Sequence, residues 1–362
     1  MDATDRLFQT HVTYARSQPS RLRRSLRVLF IAALWLVLTG ITLWAVGALA
    51  FDLPFPALRK PAAILYAVAV SGAAIFIKGR WRAARAVVIA FGLVLAWWLT
   101  LRPSNDRAWQ PDVAQTAWAE IKGNQVTLHN VRNCEYRTET DYTPHWETRQ
   151  VDLSKLRGMD IAIDYWGSPW MAHPIVSFDF EGAPRVAMSI ETRKEIGESY
   201  SAIGGIYRQY ELTYIIGDER DLMRVRTNFR KGEDLYLYHL RVPADHAREI
   251  FLEYLHRANA LHVRAEFYNA ITSNCTTNIR TQAAIKRPWD WRILLNGYAD
   301  QMMYERGDLA GDLPFHELKK RALVNEAARA DDADPDFSER IRAGRPGFDS
   351  ESTAPAERDQ AQ

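Results

Sequence analysis

The segment His173-Pro-Ile-Val-Ser-Phe-Asp-Phe-Glu-Gly-Ala-Pro-Arg-Val-Ala-Met-Ser-Ile-Glu191 holds two apolar runs joined by a short link, Glu181-Gly-Ala183. A glycine-containing link of this length between apolar runs signals a β-hairpin. With 181–183 as the loop, Phe180 faces Pro184, Phe178 faces Val186, Val176 faces Met188 and Pro174 faces Ile190. That face is apolar throughout and can be buried. The opposite face pairs Ser177 with Ala187, Ile175 with Ser189, and His173 with Glu191. A slip of one residue would scramble both faces, so the pattern itself selects this register. Directly opposed residues have Cβ atoms about 4.5–5.5 Å apart. An imidazole and a carboxylate at that spacing can hydrogen-bond. Glu191 would then fix the tautomer of His173 and raise its basicity, as the third member of a catalytic triad does. A structural ion pair at a strand end would use the same two residues.

Outward from the hairpin, Val126–Val131, Asp160–Trp166, Leu212–Ile216 and Leu235–Leu240 read as further strands, and Pro243–Leu261 as a helix opened by its proline. Strands first and helices later predict an α+β domain with an antiparallel sheet. Pro103 to about Asn124 reads as a linker leading into a short helix, with Trp109 and Trp118 near the membrane surface. From 325 to 362 the chain is rich in Ala, Asp, Arg and Pro with few apolar residues, the composition of a disordered tail.

The first part of the chain is different in kind. Val28–Phe51 is an uncharged run long enough to cross a bilayer, and Pro61–Ile77 and Ala86–Leu101 sit near the lower limit. A buried hairpin of core helices is the competing reading. Arg16, Arg21, Arg23, Arg24 and Arg27 precede the first run, and Lys78, Arg80, Arg82 and Arg85 separate the second from the third. The positive-inside rule then places the N-terminus and the 78–85 loop in the cytoplasm. Three crossings leave everything after Arg102 outside it. Ala48-Leu49-Ala50 resembles a signal-peptidase site, but cleavage there would leave the second and third runs as a hairpin with both ends outside. The expected organisation is a membrane anchor over 1–102, an extracytoplasmic domain over 103–324 and the tail over 325–362. The net charge of +2 in 362 residues gives no argument for nucleic acid.

There are two cysteines, Cys134 and Cys275, too few for a disulfide scaffold and without zinc-like spacing. Cys275 follows Ser273 and Asn274, both good helix N-caps, so a helix is expected to open near Asn274. In its first turn the unpaired N–H groups and the helix dipole would stabilise a thiolate and supply part of an oxyanion hole. A disulfide with Cys134 and an inert buried thiol compete with that reading. Arg193, Lys194, Glu195, Glu198, Arg208, Glu211, Asp218, Glu219, Arg220 and Asp221 read as a solvated, ion-paired face. The alternative is a substrate rim in which Arg193 or Arg208 contacts a phosphate or a carboxylate. Tyr165 and Trp166 are either pocket-lining or core aromatics. The adjacent carboxylates do not match a calcium loop, so no metal or cofactor is expected.

Two resemblances meet at these residues. A histidine on a strand, a polar residue on the next, and a later Asn-Cys opening a helix resemble the permuted papain-like enzymes of the NlpC/P60 and lecithin:retinol-acyltransferase-like groups. In addition, Asn130–Arg137, Ala172-His173 with Ser177-Phe178, Ser189–Ser201, Tyr207–Leu212, Gly217–Asp221 and Asn274–Thr277 resemble the Lnb N-terminal periplasmic domain family, over about residues 110–285. Lnb is a lipoprotein N-acyltransferase, so this resemblance implies a Cys–His site at Cys275 and His173. It also implies a thioester intermediate and a phospholipid or lipoprotein substrate at the inner membrane. The membrane helices here precede the domain, whereas in that acyltransferase they follow it. A periplasmic cysteine peptidase or amidase acting on peptidoglycan or protein would use the same residues. A membrane-anchored binding protein would use neither as a catalyst.

Overall fold

The computed structural model describes residues 21–272, 290–293, 296–330 and 336–348. The chain divides into two compact units, Met1–Thr100 and Leu101–Gln362.

The first unit holds three helices, α1 (Arg21–Asp52), α2 (Pro56–Phe76) and α3 (Arg80–Thr100), each long and apolar enough to cross a membrane. They outrun the uncharged stretches because flanking Arg and Lys residues continue the helical backbone. Pro56 opens α2 at its first position, where a missing N–H costs nothing. Leu38, Val70, Ala84 and Val87 pack together inside this unit. Many other large apolar side chains, Leu36, Leu65 and Leu93 among them, stay exposed, as in a unit surrounded by hydrocarbon. Asp52 is buried at the end of α1 and accepts a hydrogen bond of 2.6 Å from Trp98 Nε1.

The second unit is built on one large sheet. Its strands are β1 (Trp118–Lys122), β2 (Gln125–Arg132), β5 (Trp146–Asp152), β6 (Leu156–Trp166), β7 (Ala172–Phe180), β8 (Val186–Arg193), β9 (Glu211–Gly217) and β10 (Glu233–His239). A separate pair is formed by β3 (Glu135–Tyr136) and β4 (Tyr142–Thr143). The large sheet runs β1-β2-β9-β8-β7-β6-β10, with β5 also on β2. It is mixed rather than purely antiparallel, because β2 meets β9 in parallel at Arg132 and Gly217. Gly217 permits that approach, since a Cβ there would lie 2.9 Å from the Arg132 carbonyl oxygen.

The hairpin takes the register its alternation selects. Phe178 pairs with Val186, Ser177 with Ala187, Val176 with Met188 and Ile175 with Ser189. The ladder ends at Phe178 and Val186, so residues 181–185 form a wider connection than the three-residue loop expected. Helix α5 (Ala244–Val263) covers the Phe178 face. Phe251 meets the rings of Phe178 and Phe180 edge-on at 4.9 and 5.2 Å.

The opposite face is also covered, and the cover includes the segment expected to be a disordered tail. Val324, Ala328, Phe337 and Ile341 are buried against Ala162, Ile175, Ala187 and Ile215. Arg342 is buried too, at 2.9 Å from Asp160 and 2.8 Å from Glu219. Low apolar content misleads here because a few apolar residues, Ala328, Phe337 and Ile341, cover the sheet and the Arg342 charge is paired inside. Residues 325–330 and 336–348 are therefore part of the folded unit; 331–335 and 349–362 lie outside the described residues.

Two smaller expectations also change. The short helix before Asn124 is one 3-10 turn, Pro111–Val113, and Trp118 opens β1. Trp109 is buried under the Arg193 guanidinium at 4.3 Å, and Trp118 stacks on His129 at 3.9 Å, so both serve packing within the domain.

Candidate functional site

His173 stands at the start of β7 and lies opposite Asp164 of β6. On its other side, its Nε2 is 3.1 Å from Glu191 Oε1 and 2.6 Å from the Ser189 hydroxyl. Ser189 donates to the same carboxylate oxygen at 2.7 Å. Since the serine proton goes to the carboxylate, Ser189 Oγ accepts from Nε2–H. That assigns the neutral imidazole its Nε2–H tautomer and leaves Nδ1 as the nitrogen that can take a proton. Burial alone would push the Glu191 carboxyl up. The charge and hydrogen bond of His173, the Arg226 guanidinium and the Ser189 hydroxyl outweigh it and hold the group well below the ordinary carboxylate range.

Arg226 is the residue the sequence did not single out. It sits in a π-helical turn, Val225–Phe229, that follows a short helix, α4 (Glu219–Leu222). Its Nη2 donates to Glu191 at 2.9 Å, and its Nε is 3.1 Å from Asp164. The side chain reaches the sheet from this turn, and π turns recur at functional sites. Asp164 is buried and pushed up to about 8, chiefly by desolvation and by the neighbouring Glu233, against the pull of Arg226 and His173. The corner therefore sets a carboxyl held low, Glu191, close to one held high, Asp164.

These side chains line a cleft of about 610 Å³. Asp164, Trp166, His173, Glu191, Arg226 and Glu233 are in its lining, as are Glu198, Ser199 and Tyr200. Trp166 meets the His173 ring edge-on at 6.4 Å.

Of the residues predicted from sequence, His173 and Glu191 come together. Cys275 and the helix expected from Asn274 lie outside the described residues. Arg193 is a framework residue and does not line the cleft. It is buried, donates to the carbonyls of Val113 and Ala114 at 2.9 and 2.7 Å, and bonds Asn105 at 2.9 Å. Arg208 is also absent from the cleft lining; it donates to the Leu101 carbonyl at 3.2 Å and lies over Phe267 at 5.4 Å. Tyr165 points to the other sheet face from Asp164, as adjacent strand residues do. There it donates to Gly297 O at 2.9 Å and lines a second cavity of about 530 Å³ with Lys319 and Asp300.

The charged run is largely internal rather than solvated. Asp221 receives Arg132 through both oxygens, at 2.9 and 2.8 Å, and also the Cys134 N–H at 2.7 Å. Glu211 and Glu219 are buried against Arg107 and Arg342. Cys134 is a buried free thiol that burial, aided by the Asp221 charge, pushes up to about 12, so it is a poor source of thiolate. Among the described residues, no group of three or more His, Cys, Asp or Glu side chains is placed to hold a metal ion.

Residues 142–297 match the family described as the Lnb N-terminal periplasmic domain. The match contains Asp164, His173, Ser189, Glu191 and Arg226. With the three membrane-length helices, it fits a membrane protein with a periplasmic domain. No curated protein matches the chain. No solved structure matches it either.

Proposed function

We propose that the periplasmic domain is a thiol acyltransferase working on lipid or lipoprotein substrates, with Cys275 as nucleophile, His173 as base and Glu191 as the group that orients it. The observation that carries this reading is the His173–Ser189–Glu191 relay, whose histidine and glutamate line a cleft, with the carboxyl held low by His173 and Arg226. Such a relay gives a histidine a fixed tautomer and a counter-charge for the imidazolium it becomes. The sequence supplies the nucleophile: Asn274-Cys275 follows the hairpin in the order of the permuted papain-like enzymes.

In this mechanism His173 Nδ1 takes the Cys275 proton as the sulfur attacks an ester carbonyl. The tetrahedral adduct collapses, the C–O bond breaks, and the imidazolium returns the proton to the leaving alcohol. The acyl group remains on sulfur as a thioester. An amine then attacks that carbonyl, His173 accepts the ammonium proton, and thiolate leaves as the amide forms. Ser189 serves as a positioning residue, because it holds Nε2 without meeting the acyl group.

The test is to incubate the full-length protein in phospholipid vesicles with a peptide bearing a diacylated N-terminal cysteine. Transfer of an acyl chain to the peptide amine supports the reading. Soluble cleaved peptides in its place would assign the site to a peptidase or amidase. No product of either kind would leave a membrane-anchored binding protein.

A further inference from the structure

The loop joining β8 to β9 carries more exposed apolar surface than a connection in water needs. Ile196, Ile203 and Ile206 are 69%, 61% and 42% exposed, and Tyr200 is 43% exposed. Scattered apolar residues on a surface are ordinary, but a cluster on one short loop marks an interaction site. Part of the loop's backbone is hydrogen-bonded within the domain: Ile196 N–H reaches Ala108 O at 2.8 Å, Gly205 N–H reaches Ser201 O at 2.9 Å, and Ile206 N–H reaches Ile203 O at 3.0 Å.

The loop's neighbour identifies what it meets. It is bound to the first residues of the domain. Gln110 N–H bonds Lys194 O at 2.9 Å, Gln110 Nε2 bonds Glu198 O at 2.6 Å, and Arg107 pairs with Glu195 at 2.8 Å. At the loop's far end Arg208 holds the Leu101 carbonyl. Leu101 follows directly on Thr100, the last residue of a membrane-length helix, and consecutive Cα atoms are only about 3.8 Å apart. Val263, 84% exposed, belongs to the same neighbourhood, since Asn105 bonds the carbonyls of Leu261 and His262 just before it.

We propose that the Ile196–Ile206 loop rests in the surface of the bilayer that anchors the chain, and that it opens the His173 cleft to the lipids of that leaflet. The loop supplies Glu198, Ser199 and Tyr200 to the cleft lining, so the apolar face and the cleft share one element. Isoleucines and a tyrosine ring at a lipid–water boundary bury apolar surface there. This rests on the acyl-transfer reading and adds the route by which substrate reaches the cleft, sideways from the leaflet across the loop.

The experiment places a photoreactive benzophenone amino acid at Ile203 in the full-length protein, reconstituted in phosphatidylcholine–phosphatidylglycerol vesicles. A second version carries it at Glu181, exposed in the turn at the opposite end of β8 from the loop, a strand roughly 25 Å long at about 3.3 Å per residue. After irradiation, position 203 should gain the mass of one phospholipid and position 181 should not. A product of twice the chain mass from position 203 would assign the loop to contact with a second copy and overturn the proposal. So would the absence of a lipid adduct, or equal adducts at both positions. The photochemistry does not involve Cys275. A lipid adduct without acyl transfer therefore sinks the enzyme reading alone, and transfer without the adduct sinks the membrane face alone.

Discussion

Ser189 and Arg226 decide how the His173 corner behaves. Ser189→Ala leaves His173 and Glu191 within direct reach but removes one hydrogen bond on each side of the serine. At about 1 kcal/mol net for each of the two hydrogen bonds, acyl transfer should fall by roughly thirtyfold, without loss of fold. Glu191→Gln removes the counter-charge and should cost about 10²-fold or more, with Arg226 left facing an amide. Single-turnover acylation rates of the two variants check both. Asp164 gives a pH signature. Its native carboxyl is pushed up to about 8, above the unfolded value of about 3.9. A raised carboxyl contributes stability that is full below the unfolded value and is lost as pH climbs through the native one. The protein should therefore lose stability between about pH 4 and pH 8 by this route, and Asp164→Asn should remove that part of the slope. Denaturant unfolding at several pH values reads it; a variant whose slope equals that of the parent would contradict the assignment.

At the scale of elements, the hairpin was legible because strand side chains alternate and only one register separates the apolar from the polar face. Pairing of His173 with Glu191 followed from that arithmetic alone. Arg226 was not legible, because no local pattern announces a π turn. The C-terminal cover was misread for a related reason. Its tie to the sheet is a charge, Arg342, which composition counts as solvent-seeking. In the fold, burial works against ionisation of Asp160 and Glu219, yet Arg342 holds both carboxyls below the ordinary range. Removing one partner from such a buried cluster strands the others. Arg342→Ala should destabilise the domain by about 3–5 kcal/mol, read by denaturant unfolding of the detergent-solubilised protein. A loss under about 1 kcal/mol would return residues 336–348 to the status of a dispensable tail.

For the whole molecule, three apolar helices were readable from hydropathy and loop charge, and an α+β domain after them from its strand and helix patterns. The sheet's one parallel contact was not, since it depends on a glycine meeting a distant carbonyl. The basic N-terminus and the 78–85 loop place the domain outside the cytoplasm. Alkaline phosphatase fused after residue 348 should be active, and an export-dependent fluorescent protein at the same point should stay dark. The reverse pattern would place the domain in the cytoplasm. The central claim is that a thiol on this domain carries an acyl group, activated by the relay built from His173, Ser189 and Glu191. Peptide mass spectrometry of the vesicle-reconstituted protein, without added acceptor, tests it most directly. The account predicts a hydroxylamine-labile acyl adduct on Cys275, retained in Cys134→Ser and lost in His173→Ala; an unmodified Cys275 in the active protein, or full acyl transfer by Cys275→Ala, would contradict it.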